Sequence, residues 1–348
     1  MMPPDSPLPP PSLPPDSRND ASFCTEPVQA TEAGQKLLGF LQRRLDLPLA
    51  LLHRWIRTGQ VRRNGRRCKA FDRVEAGDTV RVPPFAPDMA ARNASRTPPE
   101  APPRDVPPLI GQNGHVWAFD KPAGLPTHPG TGHQDSLATR IAGHWARAAF
   151  TPTPAHRLDK DTSGVLLAAA SYAALREIQD ALREGSLIRE YVAWVEGRWP
   201  HAHTHVLRHS LRKAGEDGCE KMRAAPPGTF GGREAACLVQ PLAVSARESL
   251  LLVRLLTGRT HQIRAQMAAV GHPVRGDGKY GAAPLWPGAQ AHAALLLHSL
   301  RVVLPGGHIF ACLPPWKDRH ALRAMPLLLE QPARKAKKTA PPADTPAE

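Results

Sequence analysis

Acidic residues are scarce in this chain: 31 Asp and Glu face 45 Lys and Arg over 348 residues, leaving a formal net charge of +14 and a pI near 10.1. That imbalance points to an anionic polymer as partner, nucleic acid ahead of a membrane surface. Long apolar runs are missing too. No stretch of about 18 strongly apolar residues occurs, which excludes a membrane-spanning helix. The opening MMPPDSPLPP lacks both the basic start and the apolar segment of a secretory signal, so a cytoplasmic location without membrane attachment is expected. Five cysteines (Cys24, Cys68, Cys219, Cys237 and Cys312) lie far apart with no CxxC pair. This argues against a disulfide framework and against zinc, and no metal is expected. The HxE and PCxxC blocks of a zinc-dependent base deaminase are absent as well.

What is present divides the chain. Residues 1–30 are rich in Pro, Ser and Asp, cannot repay the entropy of ordering, and are expected to be disordered. Residues 31–84 carry Leu37, Phe40, Leu41 and Leu45 at helical spacing, then Leu51, Leu52, Trp55 and Ile56 with Gly59 as a helix stop. An Asn64-Gly65 turn and a strand at Thr79 to Val82 complete a helix-helix-strand module. Residues 85–108, rich in Pro and Ala, read as a semi-extended linker, and 331–348 as a disordered basic tail. Between them, 109–330 alternates strand-like runs (Val165 to Ala169, Leu187 to Glu196, Leu250 to Leu256) with helices at Tyr172 to Glu184 and His261 to Val270. The strands are apolar on both faces, so an α+β domain with a covered, mixed and mainly antiparallel sheet is expected. No internal repeat is visible, and a monomer is expected.

The small module is lopsided in charge. Arg54, Arg57, Arg62, Arg63, Arg66, Arg67, Lys69 and Arg73 are opposed between His53 and Arg73 by Asp72 alone, a distribution suited to phosphates.

The nine residues HRLDKDTSG, His156 to Gly164, set one carboxylate, Asp159, among cations on a short loop leading into an apolar strand. A rigid sheet would anchor such a loop and display the acid. A second block, TGRTHQIR at Thr257 to Arg264, follows a strand and opens a helix with Thr260 as candidate N-cap; Arg264 falls near the helix start, able to reach an anion. DKPAGLPTHPG at Asp120 to Gly130 fixes a loop carrying Lys121 and His128. IREYVAWVEG at Ile188 to Gly197 supplies Tyr191, flat enough to stack on a base.

Over about Gly114 to Gly281 these blocks resemble the RluA-type pseudouridine synthases, which isomerise uridine in RNA to its carbon-linked isomer. Residues 31–84 resemble the S-four RNA-binding domain through GQKL…ALLHRWIRTGQVRRNG…AGDTVRV. The resemblance implies Asp159 as the catalytic carboxylate, Tyr191 as the residue contacting uracil, Arg264 as the carboxylate's partner and Arg157 as the side chain filling the gap left by a displaced nucleoside. It implies large-subunit ribosomal RNA as substrate, with transfer RNA second. Arg189 stands where that family often has Lys, and GREAAC at Gly232 to Cys237 looks like a degraded GKxAxT segment.

The chemistry breaks the N1–C1′ bond, turns the uracil and joins C5 to C1′. Nothing is oxidised or added, so no cofactor is demanded. Asp159 could attack C1′, or could stabilise a cationic sugar and remove a sugar proton. Arg264 would orient it, and Tyr191 would hold the detached ring. The base must be extruded from its stack to be reached. GDGKYG at Gly276 to Gly281 satisfies GxGxxG, but Pro284 and Pro287 follow where a dinucleotide site needs a helix. The cluster His201, His203, His205 and His209 is read as a solvated loop and not as a metal site.

Overall fold

A computed structural model describes residues 23–96, 105–130, 134–146, 148, 150–214, 221–281 and 294–316. The chain divides into two units, Met1–Glu100 and Ala101–Glu348.

In the first unit, left-handed residues stop both expected helices. α1 (Leu37–Leu45) ends on Asp46, and α2 (Leu49–Thr58) ends on Gly59. Their apolar stripes meet over Leu37, Phe40, Leu41, Leu52, Trp55 and Ile56. Asn64 and Gly65 both take positive φ and turn β2 (Arg62–Arg63) into β3 (Arg66–Arg67), as the two-residue hairpin requires. β4 (Val80–Val82) and β1 (Phe23–Cys24) complete a sheet of order β1-β4-β2-β3.

Two expectations are corrected here. Residues from Phe23 onward are not disordered: β1 pairs with β4, Thr25 N–H donates to the Val80 carbonyl, and Val28 is buried. The open edge of β4 supplies backbone partners that composition does not reveal. The expected linker begins with a helix, α3 (Ala86–Arg96). Ala and Met favour it, Pro87 falls in the first turn where no intrahelical N–H bond is lost, and Ala86 is buried in the unit's core. Residues 1–22, 97–104 and the tail 331–348 lie outside the described residues.

The second unit is built on one eleven-stranded sheet. Its elements in chain order are β5 (Leu109–Asn113), β6 (Val116–Lys121), α4 (Leu137–His144), β7 (Thr153–Pro154), β8 (Ser163–Ala169), α5 (Tyr172–Glu184), β9 (Ile188–Glu196), β10 (His205–Ala214), β11 (Lys221–Ala225), β12 (Arg233–Val244), β13 (Glu248–Leu255), α6 (Gln262–Ala269), β14 (Leu297–Val303) and β15 (Ile309–Ala311). The strand order is β11-β10-β12-β13-β9-β14-β8-β6-β5, with β15 on β14 and β7 on β8. Every pairing is antiparallel except β8 with β14. The fold is thus α+β, as expected. β8, β9 and β14 are buried on both faces: α4 and α6 lie over one, and on the other α5 covers β8 and β14 while Val192 and Trp194 of β9 pack with Leu250, Leu252 and Leu300.

α5 matches its sequence signals at both ends: Ser171 accepts from Ala174 N–H, and Gly185 closes the helix at φ 73°. α6 does not. His261, at φ 51°, occupies the N-cap without a side-chain cap bond, and Thr260 is not the cap. Gln262 does the local work instead, its Oε1 accepting from Thr257 Oγ1 and Arg259 N–H while its Nε2 donates to the Ala236 carbonyl.

Candidate active site

The HRLDKDTSG loop leaves β7, turns at Asp159 (Thr162 N–H to the Asp159 carbonyl, 3.2 Å) and enters β8. Its backbone is gripped on both sides of Asp159. Thr127 Oγ1 bonds both N–H and carbonyl of Leu158, at 3.1 and 2.9 Å. Lys121 Nζ donates to the Lys160 carbonyl at 3.0 Å and to the carbonyls of Leu125 and Pro122 at 2.7 and 2.9 Å. Lys121 was expected on RNA; fully buried, with all three donors spent on carbonyls, it is instead a brace of the loop. Burial lowers its pKa to about 8.

At the end of the loop, Ser163 Oγ bonds buried His298 Nδ1 at 2.8 Å, and His298 Nε2 lies 3.0 Å from the Cys312 carbonyl. Burial lowers the His298 pKa to about 4, so the ring is neutral, donating from Nε2 and accepting at Nδ1. His156, at the head of the loop, accepts from Leu167 N–H, and burial, aided by the Arg189 charge, lowers it also to about 4.

Asp159 opens into a cleft of about 510 Å³ lined from the HRLDKDTSG loop, β9 and the TGRTHQIR block. Its Oδ2 lies 3.6 Å from Arg264 Nη1, and its Oδ1 lies 4.0 Å from His261 Nε2. Arg264 is itself clamped: Nε and Nη2 each reach an Asp277 oxygen at 2.7 Å, and the guanidinium lies 5.3 Å from the Tyr280 ring centre. Asp277 is buried and also accepts from the N–H groups of Lys279 and Tyr280. Despite burial, these hydrogen bonds and the Arg264 charge hold its carboxyl below the usual range. Fixed in this way, Arg264 offers Asp159 a positive charge that need not reorganise.

His261 joins the same group. Its Nδ1 is 3.0 Å from the Tyr280 hydroxyl, which accepts from Met222 N–H at 2.7 Å. Burial lowers the His261 pKa although Asp159 opposes the shift, giving a neutral ring that accepts from Tyr280 and turns Nε2–H toward Asp159. Tyr191 stands across the cleft on β9, paired in register with Ser299 of β14 just before a bulge at Leu300. Burial raises its phenol pKa, so it presents a neutral ring.

The structure brings Asp159, Tyr191, Arg264 and Arg157 to one cleft. Arg157 is exposed at its edge, and its charge, after burial, lowers the pKa of His128, itself exposed on the neighbouring loop. Within the first unit, Arg54, Arg57, Arg66, Arg67 and Lys69 are exposed. Arg62 and Arg63 are half-buried, and Arg63 bonds buried Asp78 and the Arg73 carbonyl; it is a structural ion pair, correcting its placement on RNA.

Sequence reasoning missed Asp277, Tyr280 and His261. The Asp and Tyr of GDGKYG are the available signal; in sequence the block is weighed against a dinucleotide loop and matches a GDxxYG of the resembled family, with no role assigned to either side chain. Among the described residues no three His, Cys, Asp or Glu side chains converge as a metal site, and no helix there is long and apolar enough to cross a membrane.

One acid displayed beside a clamped arginine, in a cleft lined by further cations on an α+β sheet, is the site of an enzyme that takes an anionic substrate. A family profile described as RNA pseudouridylate synthase matches residues 115–269. The chain is 33% identical to the ribosomal large subunit pseudouridine synthase C of Escherichia coli K12 over 259 residues, 73% of this chain and 78% of the relative. It is 33% identical to that of Vibrio cholerae over 254 residues, 72% and 78%. Among solved structures, human RNA pseudouridylate synthase domain containing 4 superposes with TM-score 0.51 at 23% identity, over 65% of this chain and 94% of that one, a likeness of fold. The chain belongs to the RNA pseudouridylate synthase family and is an isomerase acting on RNA.

Proposed function

We propose that the protein isomerises uridine in large-subunit ribosomal RNA with Asp159 as its catalytic carboxylate. The observation carrying this reading is the 3.6 Å approach of Asp159 to Arg264, whose other nitrogens are fixed on buried Asp277. The bacterial relatives, named for the large ribosomal subunit, support ribosomal RNA as substrate.

In the reaction the N1–C1′ bond breaks, uracil rotates within the cleft, C5 bonds C1′, and the C5 proton is lost while N1 regains one. Asp159, negative and aimed by Arg264, meets the positive charge that develops at the anomeric carbon, whether by bonding to C1′ or by stabilising the sugar cation and drawing off a sugar proton. The half-closed cleft limits water, which would otherwise hydrolyse the intermediate. Tyr191, buried and neutral, supplies the flat contact for the detached ring. Arg157, exposed at the cleft edge, suits the vacated stack through its planar guanidinium. Residues 31–84 act as an S-four-like module, adding phosphate contacts through Arg54, Arg57, Arg66, Arg67 and Lys69.

The test is tritium release from RNA labelled at uracil C5. The wild-type chain should release it and Asp159→Asn should not, while RNA affinity is largely kept. Turnover by Asp159→Asn would remove the mechanism, and binding without any release by the wild type would favour an RNA-assembly role.

A further inference from the structure

Among the described residues of the second unit the buried arginines, and partly buried Arg254 beside them, meet carboxylates, with one exception. Arg264 meets Asp277 and Asp159, and Arg254 and Arg301 share buried Glu190. Arg189, on β9 two residues before Tyr191, is 9% exposed and lines the cleft. Among the described residues its side chain makes no hydrogen bond or ion pair, and its Nε is sealed from solvent without an acceptor. An unpaired buried guanidinium is costly, and a fold tolerates it where a ligand completes the pair.

The chain also reserves space for this side chain. A Cβ on Gly258 would stand 2.7 Å from Arg189 Nη1 and 3.3 Å from Nη2. Gly258 has no positive φ to require glycine, and a side chain there would displace the guanidinium. Asp159 is the only carboxylate among the cleft-lining residues, and Arg264 and His261 already face it. Arg157, Arg183 and Arg259 line the same cleft and deepen its positive field.

We propose that Arg189 is an anion subsite which takes a backbone phosphate of the nucleotide being isomerised, beside the uracil contact of Tyr191. This rests on the reading that Asp159 marks the position of the anomeric carbon. A phosphodiester answers the missing charge and offers two non-bridging oxygens to the planar fork of the guanidinium. The oxygens of uracil are neutral and would leave the charge uncompensated. Docking of the phosphate then draws on the burial cost already present in the free protein and fixes the sugar relative to Asp159.

The test uses the full chain and C5-tritiated ribosomal RNA from cells lacking the gene, and compares wild type with Arg189→Gln, Arg189→Lys and Gly258→Ala. Tritium release is followed from low to high salt, and melting temperature is measured on the same preparations. Arg189→Gln should lower kcat/KM at least about 10-fold, with a melting temperature equal to or above wild type, because it removes an uncompensated charge. It should also reduce the slope of log kcat/KM against log salt by about 0.7 to 1, the signature of one phosphate no longer neutralised. Arg189→Lys should restore the slope. Gly258→Ala, which displaces the guanidinium and keeps its charge, should lower kcat/KM with a near-native melting temperature; its slope decides the case should Arg189→Gln not fold. An unchanged slope, whatever happens to activity or melting, overturns the phosphate subsite. Failure of the wild type to release tritium, or release by Asp159→Asn, would instead remove the catalytic reading beneath it.

Discussion

A Cβ on Gly164 would stand 2.3 Å from the Ser299 carbonyl oxygen, at a position where φ is +106°. The two residues are neighbours in the parallel pairing of β8 with β14. This close passage lets the HRLDKDTSG loop run straight into the centre of the sheet. Gly164→Ala should therefore cost upwards of about 2 kcal/mol through backbone collision and φ strain. Urea unfolding would measure it, and a near-wild-type midpoint would contradict the close passage.

Asp277→Ala removes both acceptors of a buried guanidinium. A loss of about 3–5 kcal/mol is expected, as for other buried pairs broken on one side. Asp277→Asn keeps the shape and frees Arg264 to close on Asp159, so its tritium release should drop more steeply than its stability. Equal losses in both would assign Asp277 to stability alone.

Acid should unfold the protein through its buried imidazoles. His298 has a pKa of about 4 when folded against an ordinary value of 6.5, and His156 behaves alike. The unfolded chain therefore takes up protons between pH 6.5 and 4 that the native chain refuses, so stability is present above pH 6.5 and falls as pH drops through this window. For fully buried His298 the loss is about 3 kcal/mol. Urea midpoints from pH 7 to 4 would show the decline, and His298→Gln should flatten it. A slope identical to wild type in that variant would count against the neutral buried ring.

The exposed and paired arginines of the first unit should separate experimentally. Replacing Arg54, Arg57, Arg66 and Arg67 together by Gln should leave melting unchanged and reduce the salt slope of RNA binding, by about 0.7 to 0.9 for each phosphate that is no longer neutralised. Arg63→Gln should act oppositely, lowering stability because it unpairs buried Asp78. Filter binding at several salt concentrations, beside thermal melts, distinguishes the two.

Glu190 was legible only as a strand residue. Its neighbours Arg254 and Arg301 are 64 and 111 positions away, brought alongside by β13 and the bulged β14. Arg264 and Asp159 were both legible as motif residues, yet the clamp from Asp277 was not, because its meaning depends on what it faces. Lys121 illustrates the reverse error. A lysine in a Pro- and Gly-rich loop reads as surface charge, and the loop's carbonyls turning inward cannot be seen from composition.

Local chemistry in the amino-acid order determined the helix stops at Gly59 and Gly185, the Asn64-Gly65 hairpin, the two-sided apolar strands and the blocks holding Asp159 and Arg264, since each depends on neighbours a few residues apart. Tertiary structure alone decided which charges are paired. A charged side chain is identical in sequence whether solvated or buried, and its partner in three dimensions settles whether it braces a loop, as Lys121 does, clamps an arginine, as Asp277 does, or stands unpaired in the cleft, as Arg189 does.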